Sequence, residues 1–200
     1  MELLVATLNE GKLREIRKEL AIPGLVLLSP ADVGGFELPE ETGDTFEANA
    51  LLKARALTGA FCKAAIADDS GLVVDTLGGR PGIHSSRYAG PECDSEKNMD
   101  LLLQEMRGMK GEDRHARFVC IVAVTAPMRE PLFARGECEG RILGARRGAG
   151  GFGYDPVFLP DGHARSMAEL SLDEKNAISH RGRALRAMRP MLERMMTPSA

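Results

Sequence analysis

The chain has 200 residues, of which 44% are hydrophobic and 28% charged, with a formal net charge of −3. That balance describes a soluble globular chain able to bury a core without staples. It also lacks the basic excess of a nucleic-acid binder. No apolar run reaches the roughly 18 residues of a membrane span. The opening MELLVATLNEGK has neither a basic leader nor a small-residue cleavage site. A cytoplasmic protein is therefore expected, with no membrane and no nucleic-acid partner. Cys62, Cys93, Cys120 and Cys138 are widely spaced and form no CxxC pair, which predicts free thiols. The length suits one domain, 1–200, or two closely joined lobes.

Leu3 to Ala6 is an apolar run that predicts a first buried strand. Asn9 can cap the helix that follows, with Leu13, Ile16 and Leu20 on one face and Pro23-Gly24 as the stop. Val26 to Leu28 reads as a second strand and residues 29–43 as a loop. Asp44-Thr45-Phe46-Glu47 has the spacing of a capping box and opens a helix through about Leu57. Ala64 to Ala67 predicts a strand that runs into Asp68-Asp69-Ser70-Gly71, with a further strand at Leu72 to Val74. Gly78 to Pro91 reads as a long loop, and Asp94 starts a helix carrying Met99, Leu102, Leu103 and Met106. Ala116 to Thr125 and Pro131 to Glu139 read as paired strands. Gly148 to Tyr154 is a glycine-rich loop. Ser171-Leu172-Asp173-Glu174 is another capping box before a helical end, and Ser179 can cap a second helix near His180. Strands mixed with helices imply an α/β chain around a sheet.

Four places carry candidate chemistry. Thr7-Leu8-Asn9-Glu10-Gly11-Lys12 lies where a strand becomes a helix. Open N–H groups there suit phosphate, and Lys12 adds a full charge, or the segment is an ordinary helix cap with a surface lysine. It is no Walker loop, because Leu13 follows the lysine where a hydroxyl should be. Glu40-Glu41 and Asp68-Asp69 form an acidic set. Adjacent carboxylates at the end of a buried strand are costly unless something positive meets them. Magnesium takes such oxygen ligands, and a carboxylate beside it can activate water. Alternatively, one aspartate caps a turn through Ser70 and Gly71. Gly148 to Pro156 contains GxGxxG, yet Asp155-Pro156 follows, where a dinucleotide fingerprint needs a helix. The loop is better read as presenting Phe152 and Tyr154 to a base, with Asp155 to accept base N–H groups, or as a structural loop with two core aromatics. Lys175 and His180-Arg181 complete the set, five to six residues apart.

Five strings, ATLNEGKLREI, EETGDTFEANALLKARA, AIADDSGLVVDTLGGRPGIHSSRYAG, GGFGYDPVF and AELSLDEKNAISHRGRAL, occur in order across nearly the whole chain. Together they resemble the inosine triphosphate pyrophosphatase family. The resemblance implies a two-lobed α/β fold with a long mixed sheet flanked by helices, a central substrate cleft, and a homodimer. It implies hydrolysis of ITP, dITP and XTP between the α and β phosphates, with Mg2+ as cofactor. It assigns phosphate binding to the opening segment, from Thr7 through Leu8, Asn9, Glu10 and Gly11 to Lys12, and the general base and metal site to Asp69 with Asp68 adjacent. Glu40 or Glu41 matches the acidic metal position, and Lys53 and Ser70 match substrate contacts. Phe152, Gly153, Tyr154 and Asp155 match the base loop, and Lys175, His180 and Arg181 the remaining nucleotide contacts. Leu8 stands where many relatives have glycine, and His84 where they often have tyrosine.

The expected reaction is attack on the α-phosphorus by a water that Asp69, alone or with Asp68, orients, with pyrophosphate leaving. A donor such as Arg181 or His180 would pair with a six-keto oxygen and reject an amino group, since mismatched buried polar groups are costly. Two other readings fit the sequence less well: a nucleotide-binding regulator without hydrolysis, and a pyrophosphatase for modified pyrimidine nucleotides.

Overall fold

The structure is a computed structural model that describes residues 1–197; the last three residues of the 1–200 domain reading lie outside the described residues. Six strands form one sheet: β1 (Glu2–Val5), β2 (Val26–Leu28), β3 (Ala65–Val74), β4 (His115–Thr125), β5 (Leu132–Ile142) and β6 (Phe158–Pro160). Their order is β2-β1-β3-β4-β5-β6. β1 runs parallel to both β2 and β3, whereas β6 is antiparallel to β5, so the sheet is mixed. Among the described residues five α-helices accompany it: α1 (Glu10–Glu19), α2 (Phe46–Phe61), α3 (Ser95–Glu105), α4 (Leu172–Ile178) and α5 (His180–Met196). The chain divides into two compact units. The first holds Met1–Asp69, Cys120–Gly136 and the described residues from 181 onward; the second holds Ser70–Val119 and Glu137–His180.

The first unit is a three-layer arrangement dictated by strand periodicity. Successive side chains of a strand point to opposite faces. Leu3 and Val5 of β1, Ile66 of β3 and Cys120, Val122 and Val124 of β4 pack with Leu13, Ile16 and Leu20 of α1 and Ala184, Leu185, Met188 and Leu192 of α5. The alternate residues, Leu4, Ala6, Ala65, Ala67, Ile121 and Ala123, pack with Ala50, Ala54 and Leu57 of α2. The small residues on this second face let α2 lie close to the sheet. The second unit has its own core, in which Met99, Leu102 and Met106 of α3 join Leu72, Val74, Phe118, Cys138, Val157 and Phe158.

Several local expectations change. Asp68-Asp69-Ser70 is no turn: β3 is one strand of 10 residues that continues through them to Val74. The helix at 46 is capped by Thr45, whose hydroxyl accepts from the Ala48 N–H at 3.1 Å, not by Asp44, and it runs one turn further, to Phe61. Residues 29–43 contain a short 3-10 turn at Pro30–Val33. The loop at 78–91 likewise holds one at Gly82–Arg87. β6 is an additional strand. The Asn9, Asp94 and Ser171 caps form as expected, and the helical end breaks at Ser179 between α4 and α5. Among the described residues the four cysteines form no disulfide, and no helix is long and apolar enough to cross a membrane.

Candidate active site

The parity of β3 decides where the two aspartates go. Asp68 lies two residues from Ile66 and shares its face, toward α1 and α5. Asp69 lies two residues from Ala67 and faces α2. Both are buried, at 2% and 4% exposure. Buried carboxylates need positive partners, and each finds a different set.

Asp68 meets Lys12 of α1, with Nζ 3.0 Å from Oδ2. The same oxygen accepts from Arg181 Nε at 3.2 Å and Nη2 at 3.0 Å. Arg181 Nη1 donates to Glu15 Oε2 at 2.5 Å. Arg181, Asp68 and Glu15 are 1%, 2% and 2% exposed. Lys12 and Glu15 lie three residues apart on α1 and so share a face. The result is a chain of alternating charge, Lys12, Asp68, Arg181, Glu15. Burial alone would raise the Asp68 carboxyl, but Lys12, Arg181 and Lys53 outweigh it and hold it far below the ordinary carboxylate range. Burial likewise disfavours the Arg181 cation, yet Asp68 and Glu15 keep it firmly charged. Nearby Cys120 Sγ lies 4.0 Å from Asp68 Oδ2; burial pushes its thiol up to about 12, so it stays a neutral thiol.

Asp69 has a weaker partner set. Lys53 Nζ is 3.3 Å from Oδ1, and Asn49 Nδ2 donates to Oδ2 at 3.3 Å. The same lysine is shared with Glu41, whose Oε1 lies 2.6 Å from Nζ. Burial raises the Asp69 carboxyl, Lys53 opposes this, and Glu41 and Asp68 push it further up. Burial would lower the Lys53 ammonium, but Asp69, Asp68 and Glu41 raise it instead. Of the two acidic candidates in the preceding loop, Glu41 is the one that reaches Lys53, while Glu40 is exposed.

This pair bears directly on a metal. Among the described residues no group of three or more histidine, cysteine, aspartate or glutamate side chains is placed to hold one. Magnesium does not require such a group, since it commonly takes one or two carboxylates and completes its shell with phosphate oxygens and water. Asp69 and Glu41 converge on one ammonium with surplus negative charge. They fit that donor set.

In the opening segment, Thr7 Oγ1 accepts from Asn9 N–H at 3.1 Å and Asn9 Oδ1 accepts from Lys12 N–H at 3.0 Å. Those side chains shape the turn, and Lys12 supplies the charge beside it. Leu8 is 68% exposed, and Glu10 is also exposed.

In the second unit, Phe152, Asp155 and Lys175 come together. Asp155 Oδ2 accepts from Phe152 N–H at 2.9 Å and from Lys175 Nζ at 2.6 Å. The ammonium also lies 4.3 Å from the centroid of the Phe152 ring. Gly151 is required here: its φ is +73°, and a Cβ would fall 2.1 Å from Asp155 Oδ2. Two of the expected nucleotide contacts are buried. Tyr154 is 5% exposed and its hydroxyl donates to the Ser85 carbonyl at 2.9 Å, so its ring belongs to the core. His180 is 5% exposed and stacks on Phe118, with centroids 4.7 Å apart and planes at 12°. Phe152 and Gly153 are half-buried, and residues 148–151 before them are exposed. Ser70, half-buried, follows Asp69 in β3.

Two participants escaped the sequence reading. Glu15 sits beside Ile16 on the buried stripe of α1, where a carboxylate is out of place without a partner. Asn49 lies four residues before Lys53 on α2, so the two share a face.

Comparisons with known proteins converge on one group. The sequence model of the Ham1 family matches residues 3–191. A dITP/XTP pyrophosphatase of Bacillus anthracis is 49% identical over 189 residues, 94% of each chain. One of Bacillus subtilis (strain 168) is 47% identical over 192 residues, 96% of this chain and 97% of the relative. The solved structure of the Staphylococcus aureus Ham1 protein superimposes with a TM-score of 0.87 at 38% identity, covering 98% of this chain and 100% of that one.

The two aspartates should separate in stability measurements. A carboxyl depressed in the folded state stabilises it at pH values above the unfolded pKa. Asp68→Asn removes that contribution and leaves buried cations uncompensated, so unfolding free energy should fall by about 3–5 kcal/mol at neutral pH. A carboxyl raised in the folded state has the opposite sign, because ionising it opposes folding as pH rises through its unfolded pKa. Asp69→Asn should therefore leave stability unchanged or raise it. Urea unfolding of both variants at neutral pH checks the contrast; equal losses would contradict it.

Proposed function

The chain belongs to the Ham1 family, and on that premise we propose that it is a Mg2+-dependent pyrophosphatase that hydrolyses dITP, XTP and ITP to the nucleoside monophosphate and pyrophosphate. The observation that carries this reading is the buried Asp69 carboxylate, raised in proton affinity and sharing one ammonium with Glu41. Asp69 and Glu41 would hold the cation. When bound, that cation neutralises charge developing on the phosphate oxygens.

Asp68 and Asp69 divide the work. Asp68 is locked as an anion by Lys12 and Arg181, so it is a poor proton acceptor. Asp69 is held by Lys53 and Asn49 rather than by a guanidinium, and it is the carboxylate proposed to take a proton from water as general base. The water oxygen bonds to the α-phosphorus, the bond from that phosphorus to the bridging oxygen breaks, and Asp69 receives the proton. Pyrophosphate departs with the electron pair of the broken bond. Lys12 and the N–H groups opening α1 are suited to orient phosphate oxygens.

Base recognition is assigned to Phe152 and Lys175, in place of Arg181. Nε, Nη1 and Nη2 of Arg181 each donate to a carboxylate. Lys175, itself 4% exposed and ion-paired with Asp155, takes this role by its place beside the half-buried Phe152 ring. A six-keto purine can accept from that ammonium, whereas the amino group of adenine cannot. The homodimer and the cytoplasmic setting complete this reading, and light scattering of the purified protein tests the former.

The primary experiment incubates the protein with ITP, dITP, XTP, dATP, dGTP and a modified pyrimidine triphosphate, with and without Mg2+, and resolves both products. Monophosphate and pyrophosphate should form in equal amounts from the six-keto deaminated purines, and excess chelator should abolish them. Asp69→Asn should remove most of this turnover. Binding without turnover would instead indicate a regulator, and a pyrimidine preference the related activity.

Selectivity supplies a second check. Arg181→Ala should depress catalytic efficiency toward dITP and dATP by a common factor, because Arg181 acts on Asp68. Lys175→Met should lower the dITP/dATP efficiency ratio. A hydrogen bond to a charged group contributes about 1.5–3 kcal/mol, and about 1.4 kcal/mol is tenfold, so the ratio should fall roughly tenfold to a hundredfold. A ratio that falls in the Arg181 variant and holds in the Lys175 variant would return base reading to Arg181.

A further inference from the structure

We infer that Asn49 is a positioning residue that seats the loop carrying Glu41 against the strand carrying Asp69, and so sets the spacing of the two carboxylates for a divalent cation. This rests on the reading that those two carboxylates hold the cation.

Asn49 is fully buried, and both ends of its amide are engaged. Oδ1 accepts from the Gly43 N–H at 2.8 Å, and Nδ2 donates to Asp69 Oδ2 at 3.3 Å. The partners fix the amide orientation, because a backbone N–H can only donate and a carboxylate can only accept. One side chain thus joins the acidic loop to the catalytic strand. Lys53, one turn later on α2, makes a second link of the same kind, bridging Glu41 and Asp69 Oδ1. Asp69 therefore has one α2 donor on each oxygen, and the Glu41 segment is tied to α2 at its side chain and, two residues on, at its backbone.

Gly43 shows how closely the loop is seated. A Cβ there would lie 2.7 Å from Ala48 Cβ and 2.8 Å from Asn49 Oδ1. Both distances are shorter than real Cβ contacts, so only glycine lets this backbone rest on the first turn of α2. The seat matters for a small cation. Magnesium binds oxygen at near-ideal octahedral geometry and tolerates little spread in ligand position, and Mn2+ shares its preference for octahedral oxygen sites. Lys53 alone cannot define that geometry, since its long stem has several rotatable bonds.

The test uses Mn2+ as a probe of the full-length protein, following loss of the free-ion electron paramagnetic resonance signal without nucleotide. Asn49→Ala removes the link from one side. Gly43→Ala lifts the loop from the other and changes neither carboxylate nor Lys53, so it decides the question if Asn49→Ala does not fold. Residues that orient metal ligands typically alter affinity about 10–100-fold, and both variants should raise the Mn2+ dissociation constant by at least about tenfold. Turnover should recover in part at saturating Mn2+, which a merely structural defect would not allow. An unchanged dissociation constant in either folded variant overturns the inference. Absence of saturable Mn2+ binding by the wild-type protein overturns the underlying cation reading instead, and the inference with it.

Discussion

Adjacent residues of a strand face opposite ways, and in β3 those residues are Asp68 and Asp69. The placement of charge in the first unit depends on that constraint. If both carboxylates faced one side, they would compete for the same cations and one would remain protonated. Instead Asp68 turns to Lys12 and Arg181, while Asp69 turns to Asn49 and Lys53. The helices on the two faces are distinct, α1 and α5 on one and α2 on the other. Two chemically identical residues thereby acquire different partners and opposite shifts in proton affinity.

Charge balance makes the same division. On the Asp68 face, two cations, Lys12 and Arg181, meet two anions, Asp68 and Glu15. That set is internally neutral and nearly dry, which suits a fixed support. On the Asp69 face, Lys53 is shared between Asp69 and Glu41. The surplus negative charge lies where a divalent cation and a triphosphate chain would add matching charges of their own. A buried ion network is a weak source of net stability in general, since desolvation offsets much of the attraction. Its value here is directional: it holds side chains at defined places.

Much of this was legible in the sequence. The caps at Asn9 and Asp94, the capping box at Ser171, the apolar stripe of α1 and the break at Ser179 all follow from local residue chemistry, and the ordered motifs point to the family. The exceptions share a cause. Asp68 and Asp69 look like turn formers because isolated carboxylates interrupt strands, and only tertiary partners from α1, α2 and α5 make them tolerable in mid-strand. Tyr154 and Phe152 look equivalent in a glycine-rich loop, yet a buried carbonyl at Ser85 draws one into the core. Arg181 looks like a donor available to substrate, until Glu15, more than 160 positions away in the chain, is found holding it. Long-range pairing of charged groups leaves little local signature.

The position of water attack distinguishes the possible reactions. Hydrolysis in oxygen-18 water, followed by mass spectrometry of both products from dITP, reads this out directly. Attack at the α-phosphorus with Asp69 as proton acceptor predicts one labelled oxygen in the monophosphate and unlabelled pyrophosphate. Label in the pyrophosphate, or release of orthophosphate as the first product, would contradict it.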